Sequence, residues 1–162
     1  MQIILVVESN RKSASDFKYV NKAIKYFYKR QTNQIKPIFA GGKSNLIKQT
    51  KNIELMIKKY KGDSAVIIIA DTDIKDTQQN NKLITYCNKY NYKLVWMNKD
   101  VEDVFLGKRI SNKDKTAEAN NYLTKPDSCL DKINLSDDSN KIKEHSSNML
   151  CVFDNYYKRR QR

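Results

Sequence analysis

Acidic residues stand at or soon after the ends of apolar runs at three places in this chain. Glu8 follows Ile3-Ile4-Leu5-Val6-Val7, and Asp71 and Asp73 follow Ala65-Val66-Ile67-Ile68-Ile69-Ala70. Glu102 and Asp103 come a few residues after Val95-Trp96-Met97. In an open α/β sheet, ligands collect beyond the carboxyl ends of the strands, where neighbouring loops diverge. If the first and third strands are neighbours, Glu8, Asp71 and Asp73 converge from two loops and offer the hard oxygen donors that Mg²⁺ or Mn²⁺ prefers. Without a cation such a cluster repels itself. The competing use of acids at these places is helix capping, open to Asp73, Asp76 and Asp103.

Other chemistries have little to build on. His145 is the one histidine of the chain and falls in a polar stretch, so it reads as a surface residue and not as part of a Ser-His-Asp or Cys-His site. Neither G-x-G-x-x-G nor G-x-x-x-x-G-K-[ST] occurs. Cys87, Cys129 and Cys151 are odd in number and far apart, which suits reduced thiols in a cytoplasmic protein better than a disulfide framework or a zinc knuckle.

The elements that must position the acids follow from the apolar pattern. The runs at 3–7 and 65–70 read as strands buried on both faces, as parallel sheets require. Ile35-Lys36-Pro37-Ile38-Phe39-Ala40 is a weaker strand whose proline suits a sheet edge, and residues 92–97 make a fourth. Between them, Ser13 opens a helix with Asp16 at capping-box spacing, followed by Phe17, Val20, Ile24, Phe27 and Tyr28 at helical intervals. A second helix carries Leu46 to Tyr60 with Gly62 as its C-cap, and a third covers 78–90. A short acidic helix over 100–106 stops at Gly107. Strands alternating with helices predict right-handed βαβ units: an α/β fold with a small parallel four-stranded sheet over residues 1–107. Residues 108–162 are expected to form a polar, partly helical, basic C-terminal extension, with a helix over 113–123 and an apolar segment at 148–157 that can dock back on the body.

The chain has 162 residues with a formal net charge of +13, of which +9 falls in residues 1–107. Clustered Lys and Arg displace counterions from phosphates, so a polyanion such as DNA or RNA is the partner this surplus suggests; an AT-rich genome would supply many of the lysines without one. Lys158, Arg159 and Arg160 after Tyr156-Tyr157 could follow a phosphate backbone, or form a solvated terminus. No apolar stretch is long enough to span a bilayer and no charged segment precedes the first strand, so neither a membrane partner nor a signal peptide is expected.

Four short motifs resemble one family. Leu5-Val6-Val7-Glu8-Ser9 followed by a helix is similar to the opening motif of Toprim domains, and Ile69-Ala70-Asp71-Thr72-Asp73 resembles their DxD motif. Phe39-Ala40-Gly41-Gly42-Lys43-Ser44-Asn45 is similar to the glycine-lysine turn of OLD-family nucleases, and the segment from Trp96 through Asn98 and Glu102 to Leu106 resembles RloB-like proteins. Two departures accompany these: Ile74-Lys75-Asp76 stands where many Toprim domains have glycine, and Lys99 replaces a usual proline. The resemblance implies a Toprim-like, Rossmann-like fold and a metal-dependent nuclease that hydrolyses phosphodiesters, in a phage-defence or mobile-element setting. By the same resemblance Asp71 and Asp73 would hold Mg²⁺ or Mn²⁺, and Glu8 would be a general acid/base or further ligand. Glu102 could complete a second metal position, while Gly41, Gly42 and Lys43 would meet a phosphate. The alternatives are an inactive Toprim-fold module that binds nucleic acid or another protein, in a homo-oligomer or larger assembly, and a DxD phosphatase with Asp71 as nucleophile.

Overall fold

In the computed structural model, residues 1–29, 33–72, 77–139 and 142–161 are described. Strand β1 (Gln2–Val7) is buried along its whole length, because it lies between two parallel neighbours with a helical layer on each face. On one side is β2 (Gln34–Phe39), on the other β3 (Ser64–Asp71), which pairs in turn with β4 (Lys93–Asn98). Pro37 is tolerated because β2 is the sheet edge, where the missing N–H leaves no neighbour unsatisfied.

The architecture is α/β, as the sequence predicts, but the sheet has five strands, not four, in the order β2-β1-β3-β4-β5. The added strand, β5 (Ser146–Ser147), pairs antiparallel with Met97 and Asn98. It had no signal in the sequence because it contributes backbone hydrogen bonds and two small polar residues, and no alternating apolar face. Its Ser147 N–H donates to the Asn134 carbonyl at 2.9 Å.

The alternation of side chains along the strands divides the core. Ile3, Leu5, Val7, Ile67, Ile69, Val95 and Met97 point to one face, covered by α1 (Ser15–Phe27), α5 (Val101–Leu106), α6 (Lys115–Thr124) and α7 (Met149–Phe153). Ile4, Val6, Val66, Ile68 and Ala70 point to the other, covered by α2 (Lys43–Leu46), α3 (Thr50–Lys59) and α4 (Thr77–Tyr90). Fully burying one such side chain is worth about 1.5–3 kcal/mol. Tyr122, Leu130 and Leu135 from the polar C-terminal part belong to the first of these clusters, as do Met149, Leu150 and Phe153.

Three local expectations are corrected. Helix α1 starts at Ser15 behind Ala14 in the left-handed region (φ 46), and the expected cap, Ser13, instead donates its hydroxyl to the Asn10 carbonyl. The expected second helix is broken into α2, a 3₁₀ turn (Ile47–Gln49) and α3. Its cap is Tyr60 in extended conformation, and Gly62 (φ +149) serves the turn into β3 instead. By contrast, Gly107 does close α5 at φ 67, and Asp100 caps its start by accepting from the Asp103 N–H at 2.8 Å.

Lys22 fastens α6 to α1. It is buried, and its ammonium donates to the carbonyls of Tyr122, Leu123 and Lys125. These are the groups that a helix C-terminus leaves unpaired. Among the described residues no helix is long and apolar enough to cross a membrane.

Candidate active site

The carboxyl ends of β1 and β3 lie side by side, and this places Glu8 against Asp71. The Asp71 N–H donates to Glu8 Oε1 at 2.8 Å, while the Glu8 carbonyl accepts from the Gly42 N–H at 2.7 Å. Gly41 (φ +71) and Gly42 (φ +132) both occupy backbone conformations that side chains rarely adopt, which lets the β2–α2 turn fold over the end of β1. A cavity of about 390 Å³ opens here, lined by Glu8, Asp16, Gly41, Gly42, Asp71 and Lys115 among others.

Its electrostatics are strained. Burial pushes the Glu8 carboxyl up to about 7; the Asp71 N–H, Lys43 and Lys115 oppose the shift and the Asp16 charge adds to it. Asp71 is raised well above the ordinary carboxylate range, first by burial and then by the charges of Glu8, Asp16 and Asp100. Asp16 is raised by burial, against hydrogen bonds from the Ser9 N–H (2.8 Å) and the Ser15 hydroxyl (3.1 Å). Three carboxyls thus face one space, and each is held above its ordinary range.

Two other residues expected at the site, Glu102 and Lys43, have partners of their own. Asp73 and Asp76 lie outside the described residues. Glu102 has no exposed surface and is ion-paired at 2.8 Å to Lys115, so a lysine stands where a second metal position was expected to draw on it. Lys43 lies beside the cavity residues: its ammonium donates to the Asp71 carbonyl at 2.6 Å and lies 5.8 Å from the centre of the Trp96 ring. Asp103 accepts from the Lys99 N–H at 3.1 Å and lies 3.0 Å from His145 Nδ1, so the histidine is half-exposed but tethered.

The basic terminus is remote. Arg159 forms a two-pronged pair with Asp154 at 2.8 and 2.7 Å, Arg160 donates to the carbonyls of Tyr28 and Lys25, and the Lys158 carbonyl accepts from the Lys29 N–H. All of these lie at the C-terminal end of α1, about 20 Å from its start beside the cavity at 1.5 Å per residue.

Two cavity residues were missed by sequence reading. Asp16 stands in the first turn of a helix, where acids are common caps, and only the fold shows its carboxylate turned back to the β1–α1 loop. Lys115 opens a polar helix with nothing local to mark it.

Carboxylates held above their usual range in a cleft can exchange protons near neutral pH, and as a pair they form a donor set suited to a hard divalent cation. Among the described residues no group of three His, Cys, Asp or Glu side chains is gathered closely enough to hold a metal by itself. The fit rests on the adjoining Glu8 and Asp71, whose mutual repulsion a cation would relieve. Comparison with protein-family models, with curated proteins and with solved structures gave no match to this chain.

Proposed function

We propose that this protein is a metal-dependent phosphodiesterase of the Toprim type that cleaves nucleic acid. The observation that carries the reading is the Glu8–Asp71 juxtaposition: two carboxyls from adjacent parallel strand ends, joined through the Asp71 N–H and both pushed up by burial and like charge. Asp71, and Asp73 by its place in the motif, would hold Mg²⁺ or Mn²⁺. When bound, such an ion polarises a phosphoryl oxygen and lowers the pKa of a coordinated water. Glu8, raised to about 7, is suited to move a proton to or from the attacking or leaving oxygen at neutral pH. Lys115 places a positive charge at the cavity wall, and the left-handed turn at Gly41 and Gly42 leaves room for a phosphate to approach the backbone.

The test is incubation of the protein with labelled single-stranded DNA, duplex DNA and structured RNA, with Mg²⁺, with Mn²⁺, or with EDTA. Cleavage is expected with metal only, and Asp71→Asn should lower its rate by about 10³-fold, at the scale of losing a principal electrostatic group. Cleavage at an undiminished rate in Asp71→Asn, or in EDTA, would overturn the reading.

A further inference from the structure

A second depression runs alongside the first. About 390 Å³ in volume, it lies between edge strand β2 and helix α3, with Ile38, Leu55 and Met56 as its apolar lining, Phe39 at the end of the strand, and Arg11 and Lys59 at its rim. Arg11 is three residues past Glu8, and Phe39 is two residues before Gly41, so the groove begins where the loops lining the carboxylate cavity end. The side facing it on α3 is the i, i+3, i+4, i+7 stripe of Asn52, Leu55, Met56 and Lys59. Leu55 is the most exposed large apolar residue among those described, at 53%.

The stretch of chain that supplies β2 and α3 carries much of the net charge. Residues 34–62 contain seven lysines and a single acid, Glu54, and so hold +6 of the total +13. Lys36, Lys51, Lys58 and Lys59 are exposed, as is Arg11, and among the described residues none of them is ion-paired with a carboxylate. Some cations elsewhere are committed: Lys22 to helix carbonyls, Lys99 to Glu144, Lys115 to Glu102 and Arg159 to Asp154. An apolar floor between rows of free cations, open along a sheet edge, complements a strand whose bases are unpaired and whose phosphates lie outward. A duplex hides its bases and would leave the floor in water.

We propose that the groove between β2 and α3 binds single-stranded nucleic acid and leads it to the carboxylate cavity, with phosphates on Arg11, Lys51, Lys58 and Lys59 and bases against Leu55 and Met56. This rests on the nuclease reading for the strand's destination, but its binding is measured without turnover. Anisotropy of a labelled 12-nucleotide single strand, and of the same sequence as a duplex, is followed in EDTA across a salt series. The triple variant K51E/K58E/K59E should weaken single-strand binding roughly tenfold or more and reduce the salt slope by about 2, as loss of three phosphate contacts requires at 0.7 per contact. The charge-matched variant K82E/K89E/K93E, on exposed residues of α4 and β4, should change affinity less than threefold. Leu55→Ala should weaken the single strand and leave the duplex unaffected.

Equal losses in the two triple variants would show a response to net charge alone and overturn the groove. Tighter binding of the duplex, or displacement of the oligonucleotide by polyglutamate at matched charge concentration, would also overturn it, the latter in favour of an acidic peptide. Metal-dependent cleavage that needs Asp71 while the groove triple binds normally removes the groove and leaves the nuclease; groove-dependent binding without cleavage in any metal does the reverse.

Discussion

Two sets of acids in this molecule have opposite fates. Around β4 and α5, Glu102 meets Lys115 at 2.8 Å, Asp103 meets His145 at 3.0 Å and Asp100 caps a helix. At the ends of β1 and β3, Glu8, Asp71 and Asp16 share a cavity and have mainly backbone N–H groups and a hydroxyl for partners. The first set is what a fold does with charge it must place near its core. The second is held in its geometry by the sheet register and is left short of positive charge, an arrangement that costs stability and that candidate sites share. Position after an apolar strand does not distinguish the two sets, and the partner does.

That difference is open to measurement, and the largest effect on stability is expected at Glu8. A carboxyl whose folded value is raised from 4.5 to about 7 favours the folded state fully below pH 4.5, and this contribution is lost as pH rises through 7. Glu8→Gln keeps the shape and removes the charge. It should therefore be more stable than the parent above pH 7, on the order of 2–3 kcal/mol, and lose that advantage near pH 4.5. Urea midpoints from pH 4 to 8.5 measure it. A flat difference across that range would mean that Glu8 is not held above its ordinary value, and the contrast between the two sets would fail.

Lys115 connects the sets, since it pairs with the buried Glu102 and faces the cavity. Burial alone would lower its ammonium, but Glu102, Asp100 and Asp71 raise it on balance, so it remains charged. Lys115→Met leaves Glu102 buried without its cation, and the loss should be about 2 kcal/mol at pH 8, less than for a wholly buried pair because the lysine is partly exposed. The loss should shrink at pH 5, where the carboxyls it neutralised take up protons. Equal destabilisation at both pH values would show that Lys115 acts by packing and not by charge.

How much of this could be read beforehand depended on whether the signal was local. The β1 and β3 runs are continuous and β-branched, so their burial in a parallel sheet was legible, while their adjacency, on which the meeting of Glu8 and Asp71 depends, came from the sheet order. Pro37 marked the edge strand and Gly107 the end of α5 for equally local reasons. What escaped was set by tertiary partners. Ser146 and Ser147 become a strand because β4 offers an open edge, and Tyr122 and Leu130 are buried because α1 and the sheet face need covering. Asp16 turns from cap to cavity because Ser9 N–H is within reach. The basic terminus shows the same limit: its composition suggested phosphates or solvent, and Arg159 and Arg160 are engaged by Asp154 and by carbonyls at the end of α1.

Arg159 provides the smallest test of the comparison. Its pair with Asp154 has ideal two-pronged geometry, and Asp154 is held below its ordinary range first by the hydrogen bond from that guanidinium. Yet both side chains are more than 40% exposed. Exposed pairs contribute about 0.2–1 kcal/mol, so Arg159→Ala should lower stability by about 0.5 kcal/mol in low salt and by less in 1 M NaCl. Its effect on cleavage and on single-strand binding should fall within twofold, because the pair lies at the far end of α1 from the cavity. A tenfold loss of binding in Arg159→Ala would return the terminus to the nucleic-acid path and move the positive end of the molecule away from β2 and α3.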